Sequence, residues 1–398
     1  MGRSREEASV AMKRLVLCIL LASSASWGQS EFTIPLAKTN TALALPSITA
    51  GDGMLYVAYR SFDPLRFSKE LQVLAWDLRR REEVKHVALP VPKVHGSRAG
   101  DGFFLSDDGR TLAYAELHDP GLIVLLGADS LKEINRTSAL LFTAHDHQRM
   151  FAGFDQNQLC LTSDAYDLGR PTWGGLRFIR LGTTDLRPVS DNTASGLRLL
   201  NQQAIVWLPR QQRTWIWSLP GLGSDLWTEY TEGGEKTGQA LEGHEPHILN
   251  GAIALGEGRL LAFYGNMISK GAVVSYADHH SETLKLDCVP DKYGRSNDGL
   301  YAGALCMTSV DRELEHGGGK VLSSEFLLLD PAGPTIIWRH AMRFRAVANR
   351  GDLDPDSGLP DSGVQRGEPL IYRFGSQIYV IAPSKAPKLT VYEVPPRK

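Results

Sequence analysis

The sequence predicts an all-β fold and, within that class, a β-propeller. Three observations carry the prediction. The chain of 398 residues holds 39 Gly and 21 Pro, and short apolar runs end on turn residues without sustained helical periodicity. The stretch 103–117, FFLSDDGRTLAYAEL, reads as two strands joined by an Asp-Asp-Gly turn, because Gly accepts positive φ and Asp is its usual partner in a tight reversal. Finally, the hairpin pattern recurs at a distance, and one hairpin cannot bury both its faces without neighbours of its own kind.

Taken from the start, residues 1–11 are polar, followed by Met12-Lys13-Arg14 and an eight-residue apolar run at 15–22. That run is too short to span a bilayer. Basic flanks before it and small residues after it give a secretory signal peptide over 1–28, with Met12 as an alternative start. Cys18 has Leu17 before it, which does not fit a lipoprotein cleavage site. Residues 29–398 are then one propeller domain in a secreted or periplasmic protein without a membrane span. Within it, Phe32 to Leu36 reads as a strand that supplies the piece missing from the last blade, where the chain stops one strand short. Such pairing removes an exposed sheet edge.

The repeats come next. Ile48, Gly53, Leu55 and Tyr59 match Ile253, Gly258, Leu260 and Tyr264 in spacing, with Asp52 and Glu257 before the turn Gly. A third copy sets Pro369, Ile371, Ile378, Tyr379 and Val380 on Pro46, Ile48, Leu55, Tyr56 and Val57, Gly375 falling one place earlier than Gly53. Seven apolar runs at 71–77, 122–129, 176–181, 214–218, 272–278, 326–330 and 389–394 follow the hairpins. The 370 residues after position 28 suit seven blades of four antiparallel strands at about 50 residues each; six and eight stay open, because the fourth blade is compressed and 229–243 has no clear place.

Ser106-Asp107-Asp108-Gly109-Arg110 with Leu112-Ala113-Tyr114 resembles the Ser-Pro-Asp-Gly-Arg signature of WD-repeat-like bacterial envelope propellers of the Tol-associated type, Asp107 replacing proline. The resemblance covers about fifteen residues of one blade and implies the fold rather than a partner.

A formal net charge of −2 with dispersed basic residues gives no nucleic-acid groove and no polybasic membrane patch. Three cysteines follow the signal peptide. Cys288 and Cys306 flank a turn-rich segment and form a candidate disulfide across a hairpin, a bond that a secreted protein sustains. Cys160, in QLCLTS, reads as a small buried hydrophobe.

Candidate chemistry is sparse. Asp352, Asp354 and Asp356 alternate as in the opening of a calcium loop, but Ser357 and Gly363 stand where that loop needs Gly and Glu. His145 with His147, His244 with His247, and Asp278-His279-His280 each offer imidazoles without completing a metal site. No nucleophile elbow, phosphate loop, zinc-protease or dinucleotide motif occurs, so no catalytic residue, ligand residue or cofactor is assigned; Asp108, Glu257 and Asp278 are carboxylates that a multi-blade site would draw on. Trp207, Trp215 and Trp217 cluster near Trp227, with Trp215 and Trp217 on one strand face and Ile216 on the other, an arrangement suited to packing between blades or to a ligand platform. The expectation is a monomeric binding module for a protein or cell-envelope component. The alternative is a propeller hydrolase, lactonase or metal-dependent oxidoreductase with its site over the central channel.

Overall fold

A computed structural model describes residues 30–36, 46–63, 68–91, 102–116, 121–138, 150–155, 158–166, 174–197, 205–217, 226–242, 249–255, 259–265, 270–275, 280–307, 323–343, 369–383 and 388–395. These residues form seven four-stranded antiparallel sheets. Sheet 1 is Ser47–Gly51, Met54–Asp63, Ser68–Asp77 and Glu82–Pro90. Sheet 2 is Gly102–Leu105, Thr111–Glu116, Leu122–Gly127 and Glu133–Thr137. Sheet 3 is Met150–Asp155, Gln158–Tyr166, Gly174–Gly182 and Pro188–Leu197. Sheet 4 is Ile205–Leu208, Arg213–Trp217, Leu226–Thr231 and Lys236–Glu242. Sheets 5 and 6 begin at Leu249–Ala254 and Val289–Arg295 and end at Ser281–Lys285 and Thr335–Arg343. Sheet 7 joins Leu370–Phe374, Gln377–Pro383 and Lys388–Val394 to the N-terminal strand Ser30–Pro35. The fold is a β-propeller.

Period-two alternation explains how the sheets assemble. Successive side chains of a strand point to opposite faces, and here both faces are apolar. In Met54–Asp63, Leu55, Val57 and Tyr59 pack with Tyr379, Ile381 and Val391 of sheet 7, while Tyr56 and Ala58 pack with Phe103, Tyr114 and Val124 of sheet 2. The same division recurs around the molecule, so each core cluster lies between two consecutive sheets rather than at a single centre. First strands of neighbouring sheets contact one another around the axis, sheet 3 meeting sheet 4 through the turn Pro209–Gln211, which makes them the channel wall.

The ring closes through Ser30–Pro35, whose residues pair antiparallel with Lys388–Val394 from Ser30↔Glu393 to Pro35↔Lys388. Ile34 is fully buried there. Arg81, in a turn of sheet 1, donates to Ser30 Oγ at 2.9 Å and to Glu393 at 2.8 Å, and so ties both halves of the composite sheet to its neighbour. Gly53 shows why that seam needs glycine: its φ is +79°, its N–H donates to Tyr372 Oη at 2.8 Å, and a Cβ would meet the Phe374 ring at 2.8 Å. Its turn partner Asp52 also has positive φ, as a two-residue hairpin of this hand requires.

Six of the seven apolar runs fall on third strands, but 214–218 falls on the second strand of sheet 4. The third and fourth strands there are LWTEYT and KTGQALE, whose polar residues conceal the strand pattern and account for the compression at 229–243.

Candidate functional site

A cavity of about 560 Å³ is lined by residues in and beside the first strands of sheets 1 to 6. Its lining includes Phe104, Phe154, Trp207, Trp215 and Leu260, of which Phe154, Trp215 and Leu260 are buried, and carries Arg210, Arg259, Arg295, Asp107 and Glu229 as its charged groups among the described residues.

Two hairpins set the geometry of the rim. In the first, Ser106 Oγ donates to Asp108 Oδ1 at 2.6 Å and accepts from Thr111 N at 2.8 Å, Arg110 N donates to Asp108, and Gly109, at φ +71°, donates to the Ser106 carbonyl at 2.9 Å. The second, Ser296-Asn297-Asp298-Gly299, repeats every one of these contacts: Ser296 Oγ to Asp298 at 2.6 Å, Tyr301 N to Ser296 Oγ at 2.9 Å, Leu300 N to Asp298 at 3.1 Å, and Gly299 N, at φ +70°, to the Ser296 carbonyl at 3.0 Å. Sequence reasoning missed this copy, although Ser-x-Asp-Gly spacing is its signal.

Both aspartates lie below the ordinary carboxylate range. For Asp108 the main cause is the Ser106 hydroxyl, followed by the Arg110 N–H. For Asp298, burial pushes the other way and is outweighed by Ser296, the Leu300 N–H and Arg373.

Behind the wall, between sheets 3 and 4, lies a buried charge network. Arg180 donates to Asp155 at 2.7 Å, to Glu232 at 2.9 Å and to the Cys160 sulfur at 3.1 Å. Trp207 Nε1 donates to Glu232 at 3.3 Å, so a cavity-lining ring is held by the same carboxylate. Burial pushes the Cys160 thiol up to about 12 despite Arg180, which keeps it neutral and unreactive.

The cations differ in how they are held. Arg210, in the short 3-10 turn Pro209–Gln211, pairs with Asp107 across the rim. Arg295 donates to the Ala254 carbonyl at 2.8 Å and, among the described residues, meets no carboxylate. Its side chain is exposed, and the surrounding protein atoms, followed by the charge of Arg210, lower its pKa. Glu229 accepts from Thr237 Oγ1 at 2.7 Å.

Cys288 and Cys306 are joined as a disulfide with Cα atoms 5.3 Å apart. Asp352, Asp354 and Asp356, together with His145, His147, His244, His247, Glu257, Asp278 and His279, lie outside the described residues. His280 is exposed, 3.9 Å from Glu282. Asp108 caps its turn. Trp215 packs with Trp227 toward sheet 5, and Ile216 packs toward sheet 3. Asp287, Cys288 and Glu325 come together, but the sulfur is in the disulfide and Arg339 donates to both carboxylates, so the cluster is an ion-pair network rather than a metal centre.

No family model matches the chain, and no curated protein matches it. Solved structures do. A chain of the mitotic checkpoint complex superposes with a TM-score of 0.50 at 10% identity, over 93% of this chain and 97% of that one. Chaetomium thermophilum Raptor gives 0.54 at 8% identity, over 90% of this chain but only 28% of Raptor. BamB from Moraxella catarrhalis gives 0.42 at 11% identity, over 93% and 98% of the two chains. The likeness is one of fold. Its members include the WD40 domain of Sif2 and bacterial propellers, and the chain spans about half the length of a matching Pyrococcus horikoshii acylaminoacyl peptidase. At these identities the fold alone is shared.

Proposed function

We propose that this chain is a secreted or periplasmic binding module whose cavity-bearing end receives a segment of a protein or cell-envelope component. The observation that carries the reading is the cavity itself, a concave site at the channel mouth with an aromatic wall and a few convergent polar groups, which is the usual build of a ligand site. Its polar lining, three arginines with Thr49, Asp107, Gln211, Glu229 and Asn297, supplies donors and acceptors for recognition. In this reading residues 1–28 are a removed signal peptide, residues 29–398 are one monomeric domain, and each of the seven sheets is one blade. The disulfide between Cys288 and Cys306 supports an oxidising compartment, and no described helix is long and apolar enough to cross a membrane.

A photo-crosslinking amino acid at Gln211, on the cavity, and another at Lys85, exposed on the outer strand of sheet 1, test the binding face in cells of the native host. Crosslinks to a discrete partner from position 211 and not from 85 are the expected result. Equal capture from both positions, or none from 211, would overturn it.

A further inference from the structure

We infer that the cavity is a receptor for a monoanionic carboxylate carried on an apolar body, such as the C-terminus of a peptide ending in an aromatic residue, with Arg295 and Arg210 flanking the carboxylate. The inference rests on the binding reading above and names the chemistry of the ligand.

Three facts lead to it. Arg210, Arg259 and Arg295 face Asp107 and Glu229 around one cavity, a formal excess of one positive charge among the described lining residues. Asp107 is engaged by Arg210 and Glu229 by Thr237 and, at 3.9 Å, by Arg213, whereas Arg295 is anchored by a backbone carbonyl and meets no carboxylate among the described residues. A guanidinium presents a planar fork of donors that matches a carboxylate in two parallel hydrogen bonds, and anchoring one edge on Ala254 leaves other donors directed elsewhere. The half-buried rings of Phe104 and Trp207 then supply an apolar surface for the body that bears the acid.

The test is isothermal titration of the full chain at neutral pH with acetyl-leucyl-phenylalanine, its C-terminal amide, and phenyl phosphate. The free acid should bind, the amide should bind at least tenfold more weakly, and phenyl phosphate should bind more weakly than the acid. Arg295→Gln should weaken the acid at least tenfold without moving the melting midpoint by more than a few degrees. If that variant does not fold, Arg210→Gln, in an exposed turn, carries the test, with a smaller loss expected. No heat from the free acid, equal binding of the amide, tighter binding of phenyl phosphate, or unchanged affinity in the folded variants would each overturn the assignment. Partner crosslinks from position 211 alongside any of these results would leave the binding face standing and remove only the carboxylate.

Discussion

The hairpins at Ser106–Gly109 and Ser296–Gly299 share a backbone and a hydrogen-bond pattern yet do different work, and the difference lies in their second residue. Asp107 reaches across the cavity rim to Arg210, more than a hundred positions away. Asn297 instead turns to the neighbouring sheet, where its side-chain amide donates to the Arg373 carbonyl at 3.2 Å and accepts from the Arg373 N–H at 2.8 Å. Asp298 adds a 3.0 Å ion pair to the Arg373 guanidinium; Asp108 caps only its own turn. The serine, aspartate and glycine therefore set the turn, and the second position sets its outward contact: an ion pair across the rim at Asp107, and at Asn297 a staple to the next sheet by a residue that also lines the cavity.

That contrast can be broken by substitution. The largest effect is expected at Asp298→Ala, which removes the turn contacts and the Arg373 pair together and should cost about 2 kcal/mol in urea unfolding, since hydrogen bonds to charged groups are the stronger class. Asp108→Ala removes the turn contacts alone and should cost about 1 kcal/mol; equal losses at the two sites would show that the Arg373 pair adds nothing. Gly109→Ala and Gly299→Ala should each cost about 1 kcal/mol through left-handed strain, with no difference between them, because a Cβ at either position meets nothing closer than 3.5 Å. Asp107→Asn should change stability by less than about 0.5 kcal/mol, as exposed ion pairs do, while strengthening the acid's binding in the titration above by raising the cavity's charge.

Acidity sharpens the same comparison. Both turn aspartates have folded-state pKa values below their unfolded ones. Their contribution is thus present above about pH 4 and lost as pH falls through the folded values. Urea midpoints measured at pH 5 and pH 3 should fall for the wild type and fall less for Asp298→Ala. An identical acid drop in both proteins would place the loss elsewhere.

Much of the fold was legible in the sequence because it is local and repeated. Phe103 to Leu117 contains a complete hairpin, and Phe32 to Leu36 stands out as a strand with no partner nearby. Sheet 4 was harder, since residues such as Glu229, Thr237 and Gln239 interrupt the apolar alternation on its outer strands. The second Ser-x-Asp-Gly turn escaped because Asn297 and Leu300 stand where the first copy has Asp107 and Arg110. The cavity left no contiguous trace. Arg210, Arg259 and Arg295 come from three different sheets and line one cavity only when the ring closes, so their spacing in the chain carries no signal.

Closure by Ser30–Pro35 also orders events in time. The strand's partner begins at Lys388, about 350 residues later, and at a synthesis rate of roughly 5–20 residues per second the first strand waits about 20–70 s before its mate exists. During that interval the nascent chain holds an open arc with an unclaimed edge at each end, the kind of surface that invites pairing with another chain. The protein therefore depends, at birth, on whatever keeps that short N-terminal segment solitary until the last one arrives.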